Sequence, residues 1–273
     1  MSGHPRTMAE VDRLDPATSL LAGGTDLLVR RRAGRHDGPL ADVTCLRDAP
    51  APVTETGDGG LRLSALAPLS VLAGELGGRL PGLREAIGCF ASGQIRNRAT
   101  LGGNIVNASP GADGVPPLVA AEAVALLRGP GGARRVPVAE VATGPGRTAL
   151  GPGEWIEALE LPPQPDQAGF RKIAGRRALA ISIVSLAWTW TAGPGGELTR
   201  VRLAAGAVAP VVVRLRAAEA ALEGRVPGED VVAAAAGAVA ADISPISDLR
   251  ASADYRRAAL NGALIEALTR RNT

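Results

Sequence analysis

Two glycine pairs constrain this chain more than any other feature. The first stands in Leu20-Leu21-Ala22-Gly23-Gly24-Thr25-Asp26-Leu27, the second in Thr100-Leu101-Gly102-Gly103-Asn104, with Ala108-Ser109-Pro110 and Asp113 just beyond. A glycine lets the backbone approach a ligand with no Cβ in the way, and successive main-chain N–H groups in such a turn converge on an anion. The Thr25 and Thr100 hydroxyls and the Asn104 amide add donors of the right reach. Two such loops can clamp one diphosphate from two sides. Neither is a common phosphate motif: the chain has no G-x-G-x-x-G after a strand and no G-x-x-x-x-G-K-[ST].

Composition excludes several classes. At 273 residues the chain exceeds one typical domain, so two or three subdomains are expected. Hydrophobic residues make up 46% but aromatics only 2%, so the core is built from Ala, Val, Leu and Ile, and Phe90, Trp155, Trp188 and Trp190 each ask for a reason. The net charge of +3 comes from arginines scattered among acids, with no basic helix interleaved with aromatics, so no nucleic-acid partner is expected. Arg30-Arg31-Arg32 reads as a solvated or subunit-facing surface. Two cysteines, Cys45 and Cys89, and two histidines, His4 and His36, are too few for an iron–sulfur cluster, a structural zinc site or a Ser-His-Asp triad. Residues 1–16 lack an apolar signal segment, and 231–241, the most apolar run, is too short to span a bilayer. A cytoplasmic protein with reduced thiols is the expectation.

Along the chain, residues 19–22 read as a strand entering the first glycine motif, 27–32 as a helical turn and 40–46 as a strand closing a small unit. Residues 57–60 form a hairpin turn before a strand at 61–65. Helices are expected at 68–76, 81–89 and 116–121, with strands at 123–128, 134–138 and 155–161. A Pro-rich linker at 162–169 marks a boundary. Beyond it, long β-type runs at 181–191 and 198–209 flank a Gly-rich hairpin. Helices at 215–223, 230–241 and 252–270 follow, with Gly224 as a stop for the first of them. Such a unit is α+β, its helices covering one sheet face.

The paired motifs resemble those of a known family, the FAD-binding (medium) subunit or domain of molybdenum hydroxylases such as xanthine dehydrogenase and aerobic carbon monoxide dehydrogenase. Residues 154–162, 170–185 and 252–257 are similar to the same family, so the resemblance covers nearly the whole chain. It implies an α+β fold of the PCMH-type FAD-binding class, with subdomains at 1–53 and 54–163 and a C-terminal flavoprotein domain at 168–273, an antiparallel sheet covered by helices.

The cofactor implied is FAD, with Leu20, Leu21, Ala22, Gly23, Gly24, Thr25, Asp26 and Leu27 around one side of its diphosphate and Thr100, Leu101, Gly102, Gly103 and Asn104 around the other. Asp113 matches a family aspartate that accepts hydrogen bonds from sugar or ribityl hydroxyls; as a bare sequence it also fits an Asx turn. Phe90 falls where the xanthine dehydrogenase branch places an aromatic against the flavin ring, or else packs in the core. Lys172, the only lysine in the chain, aligns with a lysine that approaches FAD, or else lies on the surface. Ile156 matches an apolar contact to the cofactor, and equally an ordinary strand core position. No catalytic residue beyond the flavin and no metal ligand is implied.

In the family, electrons pass from a molybdenum cofactor on a large subunit through [2Fe–2S] clusters on a small subunit to FAD, and on to NAD or another acceptor. Two other readings stay open: a stand-alone FAD-dependent oxidoreductase acting directly on a small molecule, and a non-catalytic FAD-holding assembly component. Two features depart from the family pattern. Residues 1–15 form a short lead-in without aromatics, and no tyrosine stands near the implied flavin, since Tyr255 lies in the last helix.

Overall fold

The strands of this chain form two large antiparallel sheets, a small parallel pair and a short hairpin in a computed structural model that describes residues 3–176 and 178–269. The first unit contains α1 (Met8–Val11), β1 (Ser19–Leu21), α2 (Leu27–Arg32) and β2 (Leu40–Asp42). Strands β1 and β2 pair in parallel, Leu20 opposite Ala41; the second strand is shorter than the expected 40–46. Helix α1, not anticipated from sequence, is capped by the Thr7 hydroxyl. Val11, Val43 and Leu46 form a small core that is completed by Trp155 from the next unit. The Trp155 indole donates to Asp12 Oδ1 at 3.2 Å, and Arg128 donates to the same carboxylate at 2.7 Å. The short lead-in is thereby anchored to the central sheet, and Trp155 has its reason.

The central unit runs β3 (Val53–Glu55), β4 (Leu61–Ser64), α3 (Leu69–Glu75), α4 (Pro81–Gly88), α5 (Gly93–Arg96), α6 (Leu101–Val106), α7 (Val115–Ala120), β5 (Val124–Gly129), β6 (Gly132–Pro137), α8 (Val138–Val141), β7 (Ala142–Gly144), β8 (Arg147–Thr148) and β9 (Trp155–Leu161). Its five-stranded sheet has the order β3-β4-β9-β5-β6. Alternation decides which face each residue takes: Leu61 and Leu63 point into the core while Arg62 reaches out to Glu157 at 2.7 Å. The turn at 57–60 joins β3 to β4 as its glycines require, with Gly59 at φ +81°.

The third unit is β10 (Gln167–Ile173), β11 (Val184–Ala192), β12 (Leu198–Gly206), β13 (Val213–Arg214), α9 (Arg216–Leu222), α10 (Glu229–Ala238) and α11 (Ala253–Thr269). The sheet follows chain order and is antiparallel throughout. Strand β10 begins inside the expected linker. There Gly169 lies under the Trp188 ring, which a side chain on residue 169 would collide with, so a glycine that reads as a linker residue is a strand residue making room for an aromatic. The expected end of the last helix at Arg270 lies outside the described residues.

Helices α9, α10 and α11 cover one face of this sheet around Leu186, Trp190, Leu203 and Leu264. The other face is also buried: Phe170, Ala187 and Ala204 belong to the central core, with Leu83, Leu118 and Ala120. That second burial was not anticipated, and it lays β10 along α4 and packs β11 and β12 against α7.

Arg256 on α11 fixes the sheet from the helical side. Its side chain is 4% exposed and donates to the carbonyls of Ile183 and Ala207 and to Asp248 at 2.8 Å. The amides of Arg250 and Ala251 and the Arg256 guanidinium hold the Asp248 carboxyl well below the usual carboxylate range. The folded form therefore binds that proton less readily than the unfolded chain. Its contribution is full at neutral pH and is lost as pH falls below the ordinary carboxylate range. Arg256→Met removes two charged hydrogen bonds to carbonyls, each worth about 1.5–3 kcal/mol. Denaturant unfolding at pH 7 should show a loss of that order, narrowing in strong acid.

Candidate functional site

From the end of β1 the chain turns through Ala22 to Asp26 into α2, and two glycines make that path possible. Gly24 sits at φ +72°, a conformation that costs little only for glycine, and a Cβ there would come within 2.9 Å of both Leu21 and Leu28. Gly23 is pressed against the backbone that leads into the second motif: a Cβ on it would overlap the Arg98 carbonyl oxygen and approach the Ala99 Cα to 2.9 Å. The two motifs, far apart in sequence, are thus seated on one another. Arg30 on α2 adds a second tie by donating to the Asn107 side-chain oxygen just after α6. The amides of Gly23, Gly24, Thr25 and Asp26 have no acceptor among the described residues, so this turn presents a row of unpaired donors.

The second motif differs from the loop expected of it. Thr100 is the N-cap of α6, its hydroxyl accepting from Gly103 N at 3.0 Å, and Leu101 to Asn104 form the first helical turn. The Gly102 amide donates to the Ala65 carbonyl at 2.9 Å, and a Cβ on Gly102 would lie 2.8 Å from that oxygen. Gly102 is therefore a packing glycine between α6 and the end of β4, and its N–H is not free for a ligand. Gly103 is exposed. Asn104 accepts from Gly114 N at 3.1 Å, joining α6 to the start of α7. Thr100 and the start of α6 follow directly on residues 98 and 99, against which Gly23 is pressed. A threonine followed by apolar residues at 101 and 105 is a helix-start signal, and it would have revealed α6 had the glycines not read as a loop.

A third group gathers where the C-terminal sheet meets the central unit. Lys172 on β10 donates to Asp113 Oδ2 at 2.6 Å and to the Cys89 carbonyl at 3.3 Å; their side chains are 10% and 9% exposed. Ser182 donates to the other carboxylate oxygen of Asp113, also at 2.6 Å. Asp113 is thus the counter-ion of Lys172, and Lys172 is no surface residue. Phe90 follows Cys89 and is half-buried against the central core; Arg96 donates to its carbonyl at 2.8 Å. Burial, followed by the nearby Asp113 charge, pushes the Cys89 thiol up, with Lys172 opposing. The thiol donates to the Glu85 carbonyl and is no free nucleophile. Sequence reasoning missed Ser182, Arg30 and Asn107, whose partners are distant in the chain. Ile156 packs in the central core on β9, across from Leu127.

Known proteins place this geometry. Residues 4–164 match the FAD binding domain in molybdopterin dehydrogenase, and residues 170–270 match the CO dehydrogenase flavoprotein C-terminal domain. The xanthine dehydrogenase FAD-binding subunit of Escherichia coli O157:H7 is 32% identical over 251 residues, covering 89% of this chain and 84% of its own length. The carbon monoxide dehydrogenase medium chain of Hydrogenophaga pseudoflava is 33% identical over 185 residues, 66% of this chain and 63% of its own. A solved carbon monoxide dehydrogenase from H. pseudoflava has a similar chain, with a TM-score of 0.90 at 30% identity, covering 98% of this chain and 96% of that one. The chain belongs to the family of FAD-binding subunits of molybdopterin dehydrogenases, and is an FAD-dependent oxidoreductase component. Its residues fit the cofactor: a turn that side chains at positions 23 and 24 would fill, four amides with no acceptor among the described residues, and a half-buried aromatic next in the chain to the carbonyl that Lys172 bonds.

Gly23→Ala should force the first turn away from residues 98 and 99, and Gly24→Val should unwind it. Losing two hydrogen bonds to a charged group at about 1.5–3 kcal/mol each removes at least about two decades of FAD affinity. Flavin absorbance per chain after desalting measures this. Unchanged occupancy in both variants would reduce the motif to a turn.

Proposed function

We propose that this chain is the FAD-carrying subunit of a molybdenum hydroxylase, receiving electrons from a small [2Fe–2S] subunit supplied by a large molybdenum subunit and delivering them to NAD or another acceptor. The observation that carries this is the seating of Gly23 on the backbone of residues 98 and 99, which turns two separate motifs into one place for a diphosphate. The Gly23, Gly24, Thr25 and Asp26 amides would hold one side of it, and the Thr100-capped start of α6 the other. Phe90 offers an aromatic face to the ring, and Lys172 keeps a positive charge beside it. When bound, FAD supplies the redox chemistry, taking electrons from one partner and giving them to another.

The need for partners follows from ligand count. Two cysteines and two histidines in the whole chain cannot ligate the clusters or build the centre at which substrate is oxidised. Relatives named as medium chains or FAD-binding subunits of xanthine, carbon monoxide and nicotinate dehydrogenases support the same division. Among the described residues, no helix is long and apolar enough to cross a membrane.

The purified chain alone should leave purines and aldehydes unoxidised, and adding the cluster-bearing and molybdenum-bearing subunits should restore substrate-dependent bleaching of the flavin. Rapid anaerobic bleaching by an organic substrate with the single chain would instead establish a self-sufficient flavoenzyme. Lys172→Met should lower the flavin midpoint potential while most binding remains, because a cation beside the ring favours added negative charge. About 30 mV corresponds to about 1.4 kcal/mol for a two-electron couple, so a fall of some tens of millivolts is expected in a spectroelectrochemical titration.

A further inference from the structure

Lys172 and Asp113 come from different units, and a long lysine stem can place its ammonium in many positions. The structure allows few. The Asp113 side chain, 9% exposed, has two side-chain partners among the described residues, Lys172 on one oxygen and Ser182 on the other, both at 2.6 Å. Remove the second and the carboxylate keeps a single tether, the same lysine it is meant to fix. Ser182 is itself held by the backbone that carries Lys172: Ile183 N donates to the Ile173 carbonyl at 2.8 Å, so the residues following Ser182 and Lys172 are bonded directly. The Ile183 carbonyl in turn accepts from buried Arg256. Serine, aspartate and lysine therefore form a braced chain that ends at the Cys89 carbonyl, one residue before Phe90.

We propose that Ser182 is a positioning residue for the flavin: by donating to Asp113 it fixes the carboxylate that fixes the Lys172 ammonium, and so sets the charge felt beside Phe90. This rests on the reading that FAD binds there. Without the Ser182 bond the carboxylate and the ammonium it anchors are free to shift, so the amine is more open to reagent and the average positive field at the ring is weaker.

Because Lys172 is the only lysine, an amine-acylating reagent has only the chain N-terminus as a competing amine, and mass spectrometry of the full-length protein reads its modification directly. In Ser182→Ala, acetic anhydride should modify Lys172 several-fold faster than in the native chain stripped of flavin. The midpoint potential of the FAD-loaded variant should fall by an amount on the order of 30 mV, a tenfold change in a two-electron reduction equilibrium. Ser182→Cys, with a poor donor of similar size, should change both in the same direction and serves if the alanine variant does not fold. In an Asp113→Asn background, Ser182→Ala should change neither quantity further, which a purely structural serine would not satisfy. Equal acylation rates in the native chain and both Ser182 variants, or undiminished effects in the Asp113→Asn background, overturn the proposal. A native chain that takes up no FAD would defeat the functional reading instead, and the acylation rates would still decide the role of Ser182.

Discussion

The C-terminal sheet is buried on both faces, and the site depends on this. An antiparallel sheet needs only one covered face; here helices take one side, and the second side packs Phe170, Ala187 and Ala204 into the central core. That docking lays β10 along α4, where Glu85 accepts the Phe170 amide at 2.7 Å. Close approach is possible because Gly82 meets Gly169 with no side chain between them, a Cβ on Gly82 falling 2.9 Å from the Gly169 carbonyl. With β10 in that position, Lys172 reaches Asp113 and the Cys89 carbonyl. A weaker contact between the units would leave a buried lysine without its partner.

A comparable constraint acts at the other end of the site. Gly23 lies on the backbone of residues 98 and 99, and Gly102 lies on the Ala65 carbonyl, so the glycines of both motifs are required first by protein meeting protein. Four amides of the first turn, at residues 23–26, then have no acceptor among the described residues. Trp155 shows the same interdependence, since it sits on a central strand yet fills the small N-terminal core.

Much of this was legible in the residues. Period-two alternation in Leu61-Arg62-Leu63 marked β4, glycine clusters marked the hairpins at 57–60 and 193–196, and the paired motifs with Lys172 and Asp113 marked the family and its cofactor. What could not be read was long-range. The first turn of α6 was hidden because Gly-Gly argues for a loop by local propensity, whereas the Thr100 cap and the Ala65 contact stabilise a helix. Strand β10 was hidden because Gln167 to Gly169 follow a Pro-rich stretch, and only Trp188 across the ladder explains the glycine. Ser182 gave no signal because its partner is 69 residues away.

The central claim is that the two motifs together hold a dinucleotide diphosphate, and a calorimetric titration of the flavin-free chain with FAD, FMN and ADP tests it most directly. FAD should bind far more tightly than FMN, which lacks the second phosphate and the adenosine, and ADP should compete with FAD for the same site. FMN binding as tightly as FAD, with ADP failing to compete, would mean that the seated glycine motifs do not form a diphosphate clamp.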